Sequence, residues 1–75
     1  MEKRKRKILV LKTSIVTRFD LLKVDMLLFS HPQIFNWHVD LDDCDKVLRI
    51  ECYGLNESDI AGILKEAGFE AERLH

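Results

Sequence analysis

The chain is poor in the residues that announce a chemistry. Its 75 residues include one proline, three glycines and two cysteines. Three scattered glycines leave no room for a glycine-rich phosphate loop, and no nucleophile elbow or Ser-His-Asp set is visible. Cys44 and Cys52 are eight positions apart. No C-x-x-C or H-x-x-x-H spacing occurs, so the common zinc and redox patterns are excluded. Across a hairpin that spacing puts one thiol in the loop and the other far down a strand, which disfavours a disulfide. No apolar run approaches the roughly 18–20 residues of a membrane span. The stretch ILVL is cut by Lys12, well short of a signal-peptide core of about 7–15 residues. The cytoplasm, with two reduced thiols, is the expected location.

What is present is a soluble balance of 47% hydrophobic and 33% charged residues with a formal net charge of −1. The charge is unevenly placed. Lys3, Arg4, Lys5, Arg6 and Lys7 hold five of the twelve basic residues, and the chain from residue 8 onward keeps seven basic against twelve acidic. The expected organisation is a basic, solvated N-terminal arm over residues 1–7 and one domain over residues 8–75. An acidic body argues against a nucleic-acid surface. A single domain of this size is marginally stable alone, so a partner or self-association would help it.

The periodicities predict strand–helix–strand–strand–helix–strand. Residues 7–13, KILVLKT, read as a strand. Thr17 and Asp20 form a Thr-x-x-Asp variant of the capping box, and Val16 with Leu21 is placed for a hydrophobic staple. Phe19, Leu22, Met26 and Phe29 then recur at helical spacing, and Pro32 ends the helix. A strand follows from Ile34 to Leu41, with Phe35, Trp37, Val39 and Leu41 expected on one face and Ile34, Asn36, His38 and Asp40 on the other. Asp42 to Asp45 make a turn. The next strand has Leu48, Ile50 and Cys52 inward and Val47, Arg49 and Glu51 outward. Asn56 and Asp59 cap a second helix whose face is Ile60, Ile63, Leu64 and Ala67, with Gly68 as its left-handed stop. FEAERL closes as the last strand.

This order predicts an α+β fold: a ferredoxin-like βαββαβ sandwich with a four-stranded antiparallel sheet in the order 4-1-3-2 and two helices on one face. The expected core is Leu9, Leu11, Phe19, Leu22, Met26, Phe35, Trp37, Val39, Leu48, Ile50, Ile60, Leu64 and Phe69.

Four segments carry a resemblance. They are Val24-x-x-Leu27-Leu28, Val39-Asp40-Leu41, Val47-Leu48-Arg49-Ile50 and Ile63-x-x-x-Ala67-Gly68-Phe69-x-Ala71. Over residues 8–74 the chain resembles the heavy-metal-associated domain family, the copper-chaperone-like domains. That family binds soft metal in a Met-x-Cys-x-x-Cys loop opening the first helix. Counting back from Val24 places Ile15, Thr17 and Asp20 at those three positions, and no cysteine lies in residues 1–43. A hydroxyl and a carboxylate cannot replace two thiolates for a soft ion. The resemblance therefore implies the fold without the metal function, and no cofactor or metal site is expected.

The remaining soft or borderline ligands in the body are His31, His38, Cys44 and Cys52. A non-standard site built on Cys44 with His38 or His31 would make the protein a metallochaperone-like carrier, which is the alternative reading. The acidic run Asp40, Asp42, Asp43 and Asp45 lacks the glycine and distant Glu of a calcium loop, and turn chemistry accounts for it. The outward residues Val47, Arg49 and Glu51 offer no aromatic for stacking RNA. The first expectation is a non-catalytic interaction module. It would bind a protein partner or a second copy through an edge strand or the open sheet face, where Ile8, Val10, Ile34 and Val47 mix with charges.

Overall fold

The computed structural model describes residues 6–74. The elements are β1 (Arg6–Thr13), α1 (Arg18–Phe29), β2 (Ile34–Asp40), β3 (Val47–Tyr53), α2 (Glu57–Glu66) and β4 (Ala71–Arg73). The four strands form one antiparallel sheet in the order β2-β3-β1-β4, which from the other edge reads 4-1-3-2. Arg6 and Lys7, expected in the basic arm, already pair with Tyr53 and Cys52; the rest of the arm lies outside the described residues.

Alternation decides which sheet face is covered. Leu9 and Leu11 stand opposite Ile50 and Leu48, and on the far side of β3 these two meet Trp37 and Val39. Leu9, Leu11, Val39, Leu48, Ile50 and Cys52 share one buried cluster with Val24 and Leu28 of α1 and Ile60 and Leu64 of α2. Both helices therefore cover the same face of the sheet, and the other face is open.

The helix ends form as their sequences dictate. Thr17 Oγ1 accepts from the Asp20 N–H at 3.0 Å, and Asp20 Oδ2 accepts in return from the Thr17 N–H at 3.1 Å. Asn56 and Asp59 repeat the reciprocal pair at 3.0 Å each. Both are complete capping boxes, satisfying donors that a helix start leaves unpaired. α2 ends with Gly68 at φ +89°. The Phe69 N–H reaches the Leu64 carbonyl and the Gly68 N–H the Lys65 carbonyl, each at 3.0 Å. This paired return is the Schellman arrangement.

Two expectations about burial are corrected. The first concerns α1. Phe19, Leu22 and Met26 are exposed rather than core, and Phe29 stands out with them. The helix buries Val24 and Leu28, with Leu21 and Leu27 packed at the margin. The segment RFDLLKVDMLLF carries two apolar stripes on opposite sides, and each satisfies helical periodicity. The stripe of Val24 and Leu28 is the one turned toward the sheet.

The second concerns β2. Ile34 pairs with Cys52, yet Asn36 pairs with the next residue, Glu51. Phe35 is the extra residue of a β-bulge, which reverses the alternation at that point. Ile34 consequently packs against the core, while Phe35 turns outward against Tyr53 with ring centroids 5.1 Å apart. Trp37 keeps its inward direction but is only half-buried, because β2 is an edge strand. Ile15 fills a core place not anticipated for it, while Cys52 is buried as its alternation predicts.

Candidate functional site

The residues at the expected metal-loop positions have structural occupations. Asp20 is held by the backbone at the start of α1. The N–H groups of Val16 and Thr17 donate to its carboxylate at 3.0 and 3.1 Å, and these two bonds lower its pKa below the ordinary carboxylate value. Thr17 is engaged in the same cap, and Ile15 is fully buried. Ile15, Thr17 and Asp20, where a metal loop was considered, thus cap a helix and fill the core.

The His/Cys set does not converge. Cys52 has no exposed surface; burial raises its thiol pKa, and its Sγ lies 4.0 Å from the Leu55 carbonyl oxygen. It behaves as a small core hydrophobe. His38 is exposed on the open sheet face opposite Arg49, and His31 is half-buried after α1. Among the described residues, Asp43, Cys44 and Asp45 bring ligand atoms within 4.8 Å of one another, and no histidine joins them. Asp43 Oδ1 already accepts from the Asp45 N–H at 2.8 Å, and Lys12 Nζ lies 4.0 Å from Asp45 Oδ1. Two hard carboxylates with one thiol suit no single class of metal well.

The surface grooves are equally quiet. One of about 270 Å³ is lined by Lys12, Thr13, Ser14, Glu70, Ala71 and Glu72. The Ser14 hydroxyl there accepts from the Glu70 N–H at 2.9 Å and holds chain segments together. A second, of about 370 Å³, contains His38 between Asp40 and Arg49 on the open sheet face. The hydroxyls of the first groove bond the backbone: Thr13 Oγ1 donates to the Lys46 carbonyl at 2.6 Å, and Ser14 accepts as described.

The open sheet face carries more aromatic surface than β3 promised. Tyr53 ends β3 and pairs with the bulged Phe35, so two rings stand together at one end of the sheet. Elsewhere on that face, Asn36 Nδ2 donates to Glu51 at 2.6 Å and Arg6 lies 4.0 Å from the same carboxylate. Polar pairing therefore interrupts its apolar residues. Both edges are blunted in the way that discourages strand addition. β4 is three residues long, and β2 carries the bulge.

The unsatisfied surface is on α1. Phe19 is 78% exposed, Leu22 63%, Met26 76% and Phe29 89%. They occupy positions i, i+3, i+7 and i+10, one continuous stripe along the side of the helix opposite Val24. Val16, just before the cap, is exposed as well. Arg18 and Asp25 flank one margin and Lys23 the other, all exposed. A helix apolar on both sides ordinarily has neighbours on both sides. No family model, curated protein or solved structure matches this chain.

Proposed function

We propose that this chain is a non-catalytic protein-interaction module whose binding surface is the outer face of α1. The observation that carries the reading is the exposure of Phe19, Leu22, Met26 and Phe29 on one helical stripe. Monomeric proteins seldom present contiguous apolar patches beyond about 300–600 Å², and larger ones mark contact sites. The element order and the sheet with both helices on one face support a ferredoxin-like sandwich. In this reading the chain resembles heavy-metal-associated domains but has traded their metal loop for a purely structural helix cap. Free thiols at Cys44 and Cys52 suit a reducing compartment such as the cytoplasm. Compared with the open sheet face and the edge strands, the helix face is the more continuous apolar surface and the least occupied by polar pairs.

The test is a photo-reactive phenylalanine analogue placed at position 22 or, as a control, at position 65 on the exposed surface of α2, in full-length chain expressed in cells. Irradiation should yield discrete adducts at position 22 and few at 65. Equal labelling at both positions, or none at 22, contradicts the reading.

A further inference from the structure

We infer that the occupant of the α1 face is a second copy of this chain, packed helix against antiparallel helix about a two-fold axis level with Val24. The inference rests on the reading of α1 as the interface and names its partner.

Area supports it. An aromatic side chain buries about 150–250 Å², so the stripe of two phenylalanines, a leucine and a methionine offers on the order of 600 Å² at the exposures observed. Two copies together would bury roughly 1,200 Å², the lower bound of stable specific interfaces, before the flanking stems are counted.

Symmetry supports it independently. An isologous contact requires that when residue i meets j, j meets i. The stripe reads Phe19, Leu22, Met26, Phe29, the same spacing and nearly the same side-chain sizes from either end. Reversed about Val24, Phe19 lies beside the partner's Phe29 and Leu22 beside the partner's Met26. The positions are the a and d places of two heptads, the narrow seam that a pair of helices buries. In a parallel pair Arg18 would instead face the partner's Lys23, so a charge change at position 23 distinguishes the two orientations.

The antiparallel arrangement has its own electrostatic signature. Each margin meets its own copy, so Lys23 approaches the partner's Lys23 and Asp25 the partner's Asp25. These contacts are solvent-exposed, so salt screens them. The dimer should therefore tighten as salt is added, opposite to any association driven by the basic residues on an anionic surface.

Sedimentation velocity of the full chain across a dilution series should show a species of twice the chain mass that gains population with concentration and with salt. Met26→Lys should remain at single-chain mass throughout with an unchanged far-ultraviolet circular dichroism spectrum, and Lys65→Glu should dimerise normally. The double variant Lys23→Glu, Asp25→Lys supplies the orientation test. Mixed with wild type, it should form heterodimers in excess of random exchange by native mass spectrometry, because unlike charges then meet at both margins. Random exchange would overturn the antiparallel arrangement. A wild-type chain that stays single at every concentration would overturn the second copy. If position 22 still gave adducts with another protein, the interaction reading would survive without it; if it gave none, both would fall. Binding of the single chain to phosphatidylserine vesicles, lost in Met26→Lys, would replace the second copy with a membrane surface.

Discussion

Leu28 and Phe29 are neighbours in the chain and opposites in the fold: Leu28 is 1% exposed and Phe29 89%. One residue of helix separates the inner surface of α1 from its outer one. Leu28→Ala should cost about 2–5 kcal/mol, the usual range for opening a cavity in a packed core. Phe29→Ser should stay within about 0.5 kcal/mol of wild type, as surface changes do. Urea unfolding at concentrations low enough to keep the chain single checks both. Equal costs would mean that the helix is rotated from the orientation described.

The two glycines around the end of α2 should respond with opposite signs. Gly68 sits at φ +89°, whereas Gly62 is inside the helix, and a methyl group at either position meets nothing within 4 Å. Space being free at both, backbone preference decides. Gly68→Ala should destabilise by about 1–2 kcal/mol, the cost of left-handed backbone for an L-residue. Gly62→Ala should stabilise by about 0.5–1 kcal/mol, since alanine is the better helix former. Thermal or urea melts of the two variants against wild type give the comparison.

Acid should loosen the start of α1 through Asp20. Its folded pKa lies below the ordinary carboxylate value because two backbone N–H groups, of Val16 and Thr17, stabilise the charged form. A group with a lowered folded pKa contributes stability above its unfolded value and loses it as pH falls through the folded one. The contribution should be intact at neutral pH and decline below the unfolded value of about 3.8. Asp20→Asn should flatten that part of the stability–pH profile. Thr17→Ala, which removes the other half of the cap, should cost about 0.5–2 kcal/mol at any pH.

The two thiols should separate cleanly in reactivity. Cys44 is exposed and Cys52 is buried, and only a thiolate that can be reached attacks a disulfide reagent. One equivalent of an aromatic disulfide reagent should be consumed promptly in native protein and the second only on unfolding. Cys44→Ser should abolish the fast phase.

Local signals in the sequence were a good guide wherever a single choice satisfied them. The caps at Thr17/Asp20 and Asn56/Asp59, the left-handed stop at Gly68 and the alternation of Leu48, Ile50 and Cys52 each have one geometric solution, and each is present. The face of α1 had two solutions, because Phe19-Leu22-Met26-Phe29 and Val24-Leu28 both repeat at helical spacing. Large aromatic residues made the outer stripe look like the core. The pattern Val24-x-x-Leu27-Leu28 was the signal that pointed the other way. The bulge at Phe35 was not legible, since it depends on how β2 meets β3 across the sheet rather than on β2 itself. The candidate surface is hidden in the sequence for the same reason: its residues are large apolar side chains at helical spacing, which is also the signature of a core face.

The most direct measurement is the solvent accessibility of the Met26 methyl group, followed by NMR with a soluble paramagnetic gadolinium chelate on methyl-labelled protein. If the outer face of α1 is an interface, the Met26 signal should be strongly broadened in dilute protein and recover protection as the protein is concentrated. A signal shielded at every dilution would place Met26 inside its own chain. One equally broadened at every concentration would deny the face a second copy as its occupant.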